Sequence, residues 1–160
     1  MQVKIKETKE GRGLEKFLAG CEKEHVVIGY QEGKKKYVTT DEKGKSEEVD
    51  MIDVVMFNEF GTSKIPARPF LKNSVDMYEK EIDAFTKAQI KEALESGASS
   101  EDLLKRFGAF HVGLIQRAIL EGDYTPNAPY TIKKKGSSKP LIDTSQMLQS
   151  PHYMIRKDDG

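Results

Sequence analysis

Tryptophan is absent from this chain and cysteine occurs once, at Cys21. A lone thiol excludes an internal disulfide framework and any zinc or iron–sulfur site built on several cysteines, so a reducing compartment is the simplest fit. Neither charge is in excess: 26 Lys and Arg stand against 26 Asp and Glu. Nothing in that balance draws the chain toward DNA, RNA or an anionic membrane, and a charge-driven partner must meet a local patch. Long apolar runs are also missing. None approaches the ~20 residues that span a bilayer. The opening Met1-Gln2-Val3-Lys4-Ile5-Lys6-Glu7 alternates charged and apolar groups where a signal peptide would be apolar. The expectation is a cytoplasmic product, or one that leaves a cell only by lysis, with no membrane contact.

What is present suits one domain. The 160 residues are 37% apolar and 32% charged, which places the chain at the polar end of the soluble globular class, with room for one real core. Val3 and Ile5 alternate with polar residues as in a short strand. Leu14, Phe17, Leu18 and Cys21 recur at helical spacing, and His25 to Tyr30 is β-branched and apolar, giving β, short α, β. Residues 31–48 are dominated by Lys, Glu, Gly, Asp and Thr and read as a solvated hairpin or mobile loop. Val49 to Phe60 is apolar around most of its circumference, so a helix there would be largely buried, with Gly61 placed to end it; its β-branched content would also suit a strand.

Pro66 and Pro69 make 62–70 a stiff, extended arm, because each removes a donor and biases its predecessor away from helix. Val75, Tyr78, Ile82, Phe85, Gln89 and Ala93 mark one face of a long helix stopped by Gly97. Ser99 and Asp102 have capping-box spacing before a second helix carrying Leu103, Leu104, Phe107, His111, Leu114, Ile115 and Ala118, which ends at Gly122. A short turn between them makes the pair antiparallel. From Asp123 to about Asp143 the sequence reads as irregular, with Pro126, Pro129 and Pro140 and a basic tip at Lys133–Gly136. One or two helical turns at 143–148 and a closing strand from His152 to Arg156 complete it.

Searches for chemistry return little. The three histidines lie far apart in sequence, and neither a metal nor a cofactor is expected. His111 reads as a core residue and Cys21 as a small buried apolar one. Gly11-Arg12-Gly13-Leu14 lacks the context of a phosphate-binding loop. Glu59, inside an apolar run, must find solvent or a partner, and Arg68 is placed to supply one. Two long irregular stretches are the anomaly. Loops beyond ~12–15 residues are usually functional or disordered, and these carry Ile65, Phe70, Tyr124, Ile132, Leu141 and Ile142. Proline-stiffened apolar arms suit an assembly protein that docks on neighbours; the alternative is that both fold back over their own core.

Asn58-Glu59-Phe60-Gly61-Thr62 followed by Ile65-Pro66-Ala67-Arg68-Pro69-Phe70-Leu71 resembles the "N-E-[FY]-G-T … I-P-A-R-P-F" signature of tailed-bacteriophage tail-completion proteins, also called neck or virion-morphogenesis proteins. In a second block, Gly108, Val112, Ile115, Gln116 and Ile119 resemble that family's late helix. Pro126-Asn127-Ala128-Pro129, Thr131-Ile132, Lys135-Gly136-Ser137 and Lys139-Pro140-Leu141-Ile142-Asp143-Thr144 resemble the segment that follows it. Together the blocks cover about Val49 to Tyr153. Ser145 stands where the family usually has Gly, Met147 where Leu is common, and Pro151 interrupts the last pattern.

The resemblance implies a non-enzymatic virion protein of the head–tail junction, made in the host cytoplasm. It implies a ring-forming homo-oligomer, sixfold if it matches a tail tube, that touches tail-tube, tail-terminator or head-connector proteins. It brings no catalytic residue, metal or cofactor, and it makes Glu59, Arg68, Phe70, Lys135, Leu141 and Asp143 candidates for the partner interface or for anchoring the arms. The expected architecture is α+β: a small, mainly antiparallel sheet from the N-terminal strands and the C-terminal strand, packed on two long antiparallel helices and shorter ones, with long arms around 31–48, 61–71 and 123–143. Two other classes stay open. One is a nucleic-acid-binding module using Lys133, Lys134 and Lys135 with Lys139; the other is a hydrolase using Glu59 and His111.

Overall fold

The β-branched run Val26–Ile28 forms the middle of strand β1 (Glu24–Gly29) in the computed structural model, which describes residues 9–31, 36–40, 45–142 and 145–158. β1 follows directly on helix α1 (Lys9–Lys23) and pairs antiparallel with the closing strand β4 (His152–Lys157), Val26 opposite Ile155 and Ile28 opposite Tyr153. The polar segment that follows is a hairpin of β2 (Lys36–Thr40) and β3 (Ser46–Asp50), with Tyr37 opposite Val49. It does not join the first sheet: there are two separate two-stranded sheets among the described residues, where a single one was expected. The proposed strand at Val3 and Ile5 lies outside the described residues. Helix accounts for 59% of the described residues and strand for 15%, an α+β fold.

Asp50 ends β3 and caps α2 (Met51–Phe60), its Oδ1 accepting from Ile52 N at 3.2 Å. After the arm come α3 (Phe70–Asp76) and α4 (Glu79–Ser96). The long helix expected here is broken at Met77–Tyr78, where Tyr78 N bonds Val75 O rather than continuing the α ladder. The break accompanies a buried Tyr78 whose hydroxyl donates to Glu121 Oε2 at 2.9 Å while Arg117 lies 4.3 Å over its ring. Gly97, left-handed at φ 70°, terminates α4. Ser99 then caps α5 (Ser100–Glu121), accepting from Asp102 N at 3.1 Å as the capping spacing predicts.

Helix α5 is the hub of the fold, packed by α1, α3, α4 and both strands of the first sheet. The sheet comes close because position 108 is glycine: a Cβ there would lie 2.3 Å from the Tyr153 ring. Further along the same face of α5, Ile115 and Ile119 join the main core with Met51, Val55, Phe70, Tyr124, Leu141 and Met147. The stretch after Gly122 is less irregular than its prolines suggest. Ala128, extended, precedes a two-turn helix α6 (Pro129–Lys135) that starts on proline and stops on left-handed Gly136. Thus the expected basic loop tip at Lys133 is the end of a helix. A short α7 (Gln146–Gln149) leads into β4, and Gln146 clasps the hairpin by accepting from Val38 N and donating to Val38 O.

Candidate functional site

The two sequence blocks that are far apart along the chain meet at the arm. Gly61 turns it with φ 75°, and a Cβ there would stand 2.8 Å from Ala67 N, so the turn has room only for glycine. Thr62 closes the turn: its Oγ1 accepts from Lys64 N and Ile65 N at 3.2 and 3.0 Å, and its N–H donates to Ile65 O. The arm then returns along α2, where Arg68 N donates to Asn58 O. It folds back over its own core. Phe70, a candidate for the partner interface or for anchoring the arm, is 0% exposed and packs edge-on against Tyr30 at 6.1 Å.

Glu59 and Arg68 do not pair with each other. The Glu59 carboxylate reaches the first turn of α3, accepting from Leu71 N at 2.8 Å and Lys72 N at 3.0 Å. Those N–H groups have no intrahelical partner, and Pro69 at the cap position offers no side-chain acceptor. A charged acceptor at a helix N-terminus is therefore what the backbone there requires, and it accounts for a carboxylate that is only 8% exposed. Both oxygens are thereby engaged by backbone donors.

Arg68, 6% exposed, takes a different set of partners. Its Nε donates to Thr125 O at 2.8 Å and its Nη2 to Pro126 O and Asn127 Oδ1 at 3.3 and 3.2 Å, while Nη1 stands 3.5 Å from Asn58 Oδ1. Asn58 is oriented for this by donating its amide to Val54 O, and Asn127 by donating toward Ser138 O and Lys139 O. One guanidinium thus ties α2, the arm, and the segment 125–139 together. All its acceptors are neutral oxygens, and burial pulls its pKa below the ordinary guanidinium value.

Beside it opens a cleft of 230 Å³ between Val54, Ile65, Leu141 and Met147 on the apolar side and Asn58, Lys64, Arg68 and Asn127 on the polar side. Leu141, another of the candidates, is buried in the cleft wall with a left-handed φ of 63°. Such a conformation in a branched residue stores strain. The Lys135 side chain and Asp143 lie outside the described residues.

The remaining candidates stay dispersed. His25 pairs with Asp158, His152 Nδ1 meets Ser150 O, and half-buried His111 lies against Phe110, burial lowering its pKa. Cys21 is exposed, where a buried thiol was expected; partial burial of the sulfur and then the Glu24 charge raise its pKa. Among the described residues no group of three His, Cys, Asp or Glu is arranged to hold a metal ion, and no helix is long and apolar enough to cross a membrane.

Sequence reasoning missed Phe60. Every other letter of Asn58-Glu59-Phe60-Gly61-Thr62 has a task inside the chain, whereas Phe60 is 69% exposed, beside Met56 at 48% and Phe57 at 45%. The prediction that α2 would be buried nearly all round fails on this face. The signal was available in the run itself: a helix apolar on every side has more apolar surface than its own core uses. Compared with known protein families, with curated proteins and with solved structures, the chain has no match in any of the three.

Proposed function

We propose that this chain is a non-enzymatic assembly protein of a tailed bacteriophage or prophage, completing the tail end and helping to join tail to head, as a ring of identical copies. It would be made in the host cytoplasm and act at the head–tail junction. The observation that carries this reading is the convergence of both resembling blocks on one hydrogen-bonded unit, Asn58 and Arg68 from the first with Asn127 and Lys139 from the second, beside which Glu59, Gly61 and Thr62 shape the arm. Residues that form one structural unit are the ones expected to recur together in a family defined by its fold rather than by an active site.

The outward face of α2 adds support. Met56, Phe57 and Phe60 form a partly exposed apolar surface, the kind of patch that marks a protein–protein contact. Burying one such side chain in a neighbour contributes about 1.5–3 kcal/mol, and a closed ring repeats that contribution at each interface.

The test is an early stop codon in the gene, in its phage or prophage, followed by electron microscopy of the induced lysate. DNA-filled heads with detached or abnormal tails are expected. Intact, infectious particles would overturn the proposal. Purified protein that binds duplex DNA with a steep salt dependence would instead favour the nucleic-acid reading of Lys133 to Lys135.

A further inference from the structure

Arg68 is a buried cation with no anionic partner among the described residues. Its guanidinium carries five N–H donors, yet the four contacts it makes all end on neutral oxygens, one of them at the 3.5 Å limit. One Nη1 N–H has no acceptor among the described residues, and the neighbouring one has only that long contact. Taking a charge out of water is expensive unless a counter-charge or a full set of hydrogen bonds replaces the solvent. The described residues around the cleft do not supply the counter-charge. Lys64 and Arg68 line it, Asn58, Asn127 and Thr131 add polar groups, and among the described residues none of the lining is an Asp or Glu. In a protein whose charges balance overall, the described residues lining this hollow include two cations and no carboxylate.

We infer that the cleft beside Arg68 is a binding site for a single carboxylate borne on a short aliphatic stem. The guanidinium edge at Nη1 would receive the carboxylate, for which the planar fork of arginine is suited. Lys64 at the rim would add a second positive charge, and the stem would lie against Val54, Ile65, Leu141 and Met147. At 230 Å³ the hollow is below the size of typical ligand pockets. It has room for one side chain or a small acid. A glutamate side chain of a partner, the free carboxyl terminus of a polypeptide and a free short-chain acid share this chemistry. The site stands on the cleft alone and does not depend on the protein being a phage component.

Titration calorimetry on the full-length protein tests it with four probes at matched ionic strength. They are sodium propionate, a tripeptide blocked at both ends with a central glutamate, an N-blocked tripeptide with a free carboxyl terminus and no acidic side chain, and sodium phosphate; sodium chloride is the control. The expected result is saturable binding of at least one carboxylate, in one-to-one stoichiometry, with no saturable heat from chloride. The tightest probe then identifies the source. Arg68→Gln is expected to abolish binding, with its melting curve reporting whether the arm still holds. Lys64 is exposed, so Lys64→Gln keeps the fold and is expected to weaken binding about two- to fivefold, the range of a solvent-screened ion pair. No saturable carboxylate binding, phosphate binding tighter than every carboxylate, or undiminished binding in Lys64→Gln would overturn the proposal.

Discussion

The arm and the outer face of α2 are adjacent in sequence and opposite in construction. Around Glu59 and Arg68, backbone donors, carbonyls and amides are matched inside the chain, and Phe70 is sealed beneath them. One turn of helix away, Met56, Phe57 and Phe60 are exposed to solvent. A motif that looks like a recognition sequence is mostly internal scaffolding, and the surface offered to a partner is the part of it with no internal task. The difference has a thermodynamic signature: substitutions in the first region change folding, and substitutions in the second leave folding alone and change association.

The largest effect is expected at Phe70. Phe70→Ala opens a cavity in the main core and should cost about 3–5 kcal/mol, read as a lower urea midpoint. An arm that docks on a neighbour instead would leave the isolated protein unaffected. Glu59→Gln comes next. It removes the charge and leaves only one acceptor oxygen for the two N–H groups of α3, at a cost of about 1–3 kcal/mol by the same assay; a change within error would place the capping role elsewhere.

Ser145 should respond in the other direction. It holds a left-handed φ of 60°, so Ser145→Gly is expected to raise stability by about 1 kcal/mol, and a loss would show that the hydroxyl matters more than the strain. The smallest effect concerns pH. Burial lowers the His111 pKa, so below about pH 6.5 the unfolded chain binds a proton that the native state resists, and stability falls as pH drops. His111→Gln should flatten that decline in melting temperature between about pH 7 and 5, and an unchanged slope would assign it to other groups.

The helices announced themselves well. Capping at Ser99, the left-handed stop at Gly97 and the αα turn between them are local chemistry, set by residues next to one another. The β1–β4 pairing joins the two ends of the described chain, and alternation alone suggested both strands without showing that the hairpin would stand apart. The break at Tyr78 was not legible, because Val75 and Tyr78 keep helical spacing and the buried tyrosine answers to Glu121 and Arg117, some forty residues on. Likewise Glu59 and Arg68 invited pairing by sign and proximity. Their actual partners are mostly backbone groups, which sequence does not display. At Ser145 the backbone is left-handed, a conformation glycine takes without strain and one that spacing along the sequence does not display.

Sedimentation velocity of the wild-type protein beside Phe60→Asp tests most directly the claim that the arm is internal and the α2 face is for assembly. Wild type should sediment as an oligomer and Phe60→Asp as a monomer, with folding stability changed by no more than about 0.5 kcal/mol, as for an exposed position. A wild-type protein that stays monomeric at every concentration, or a Phe60→Asp variant whose oligomer is intact, would contradict it.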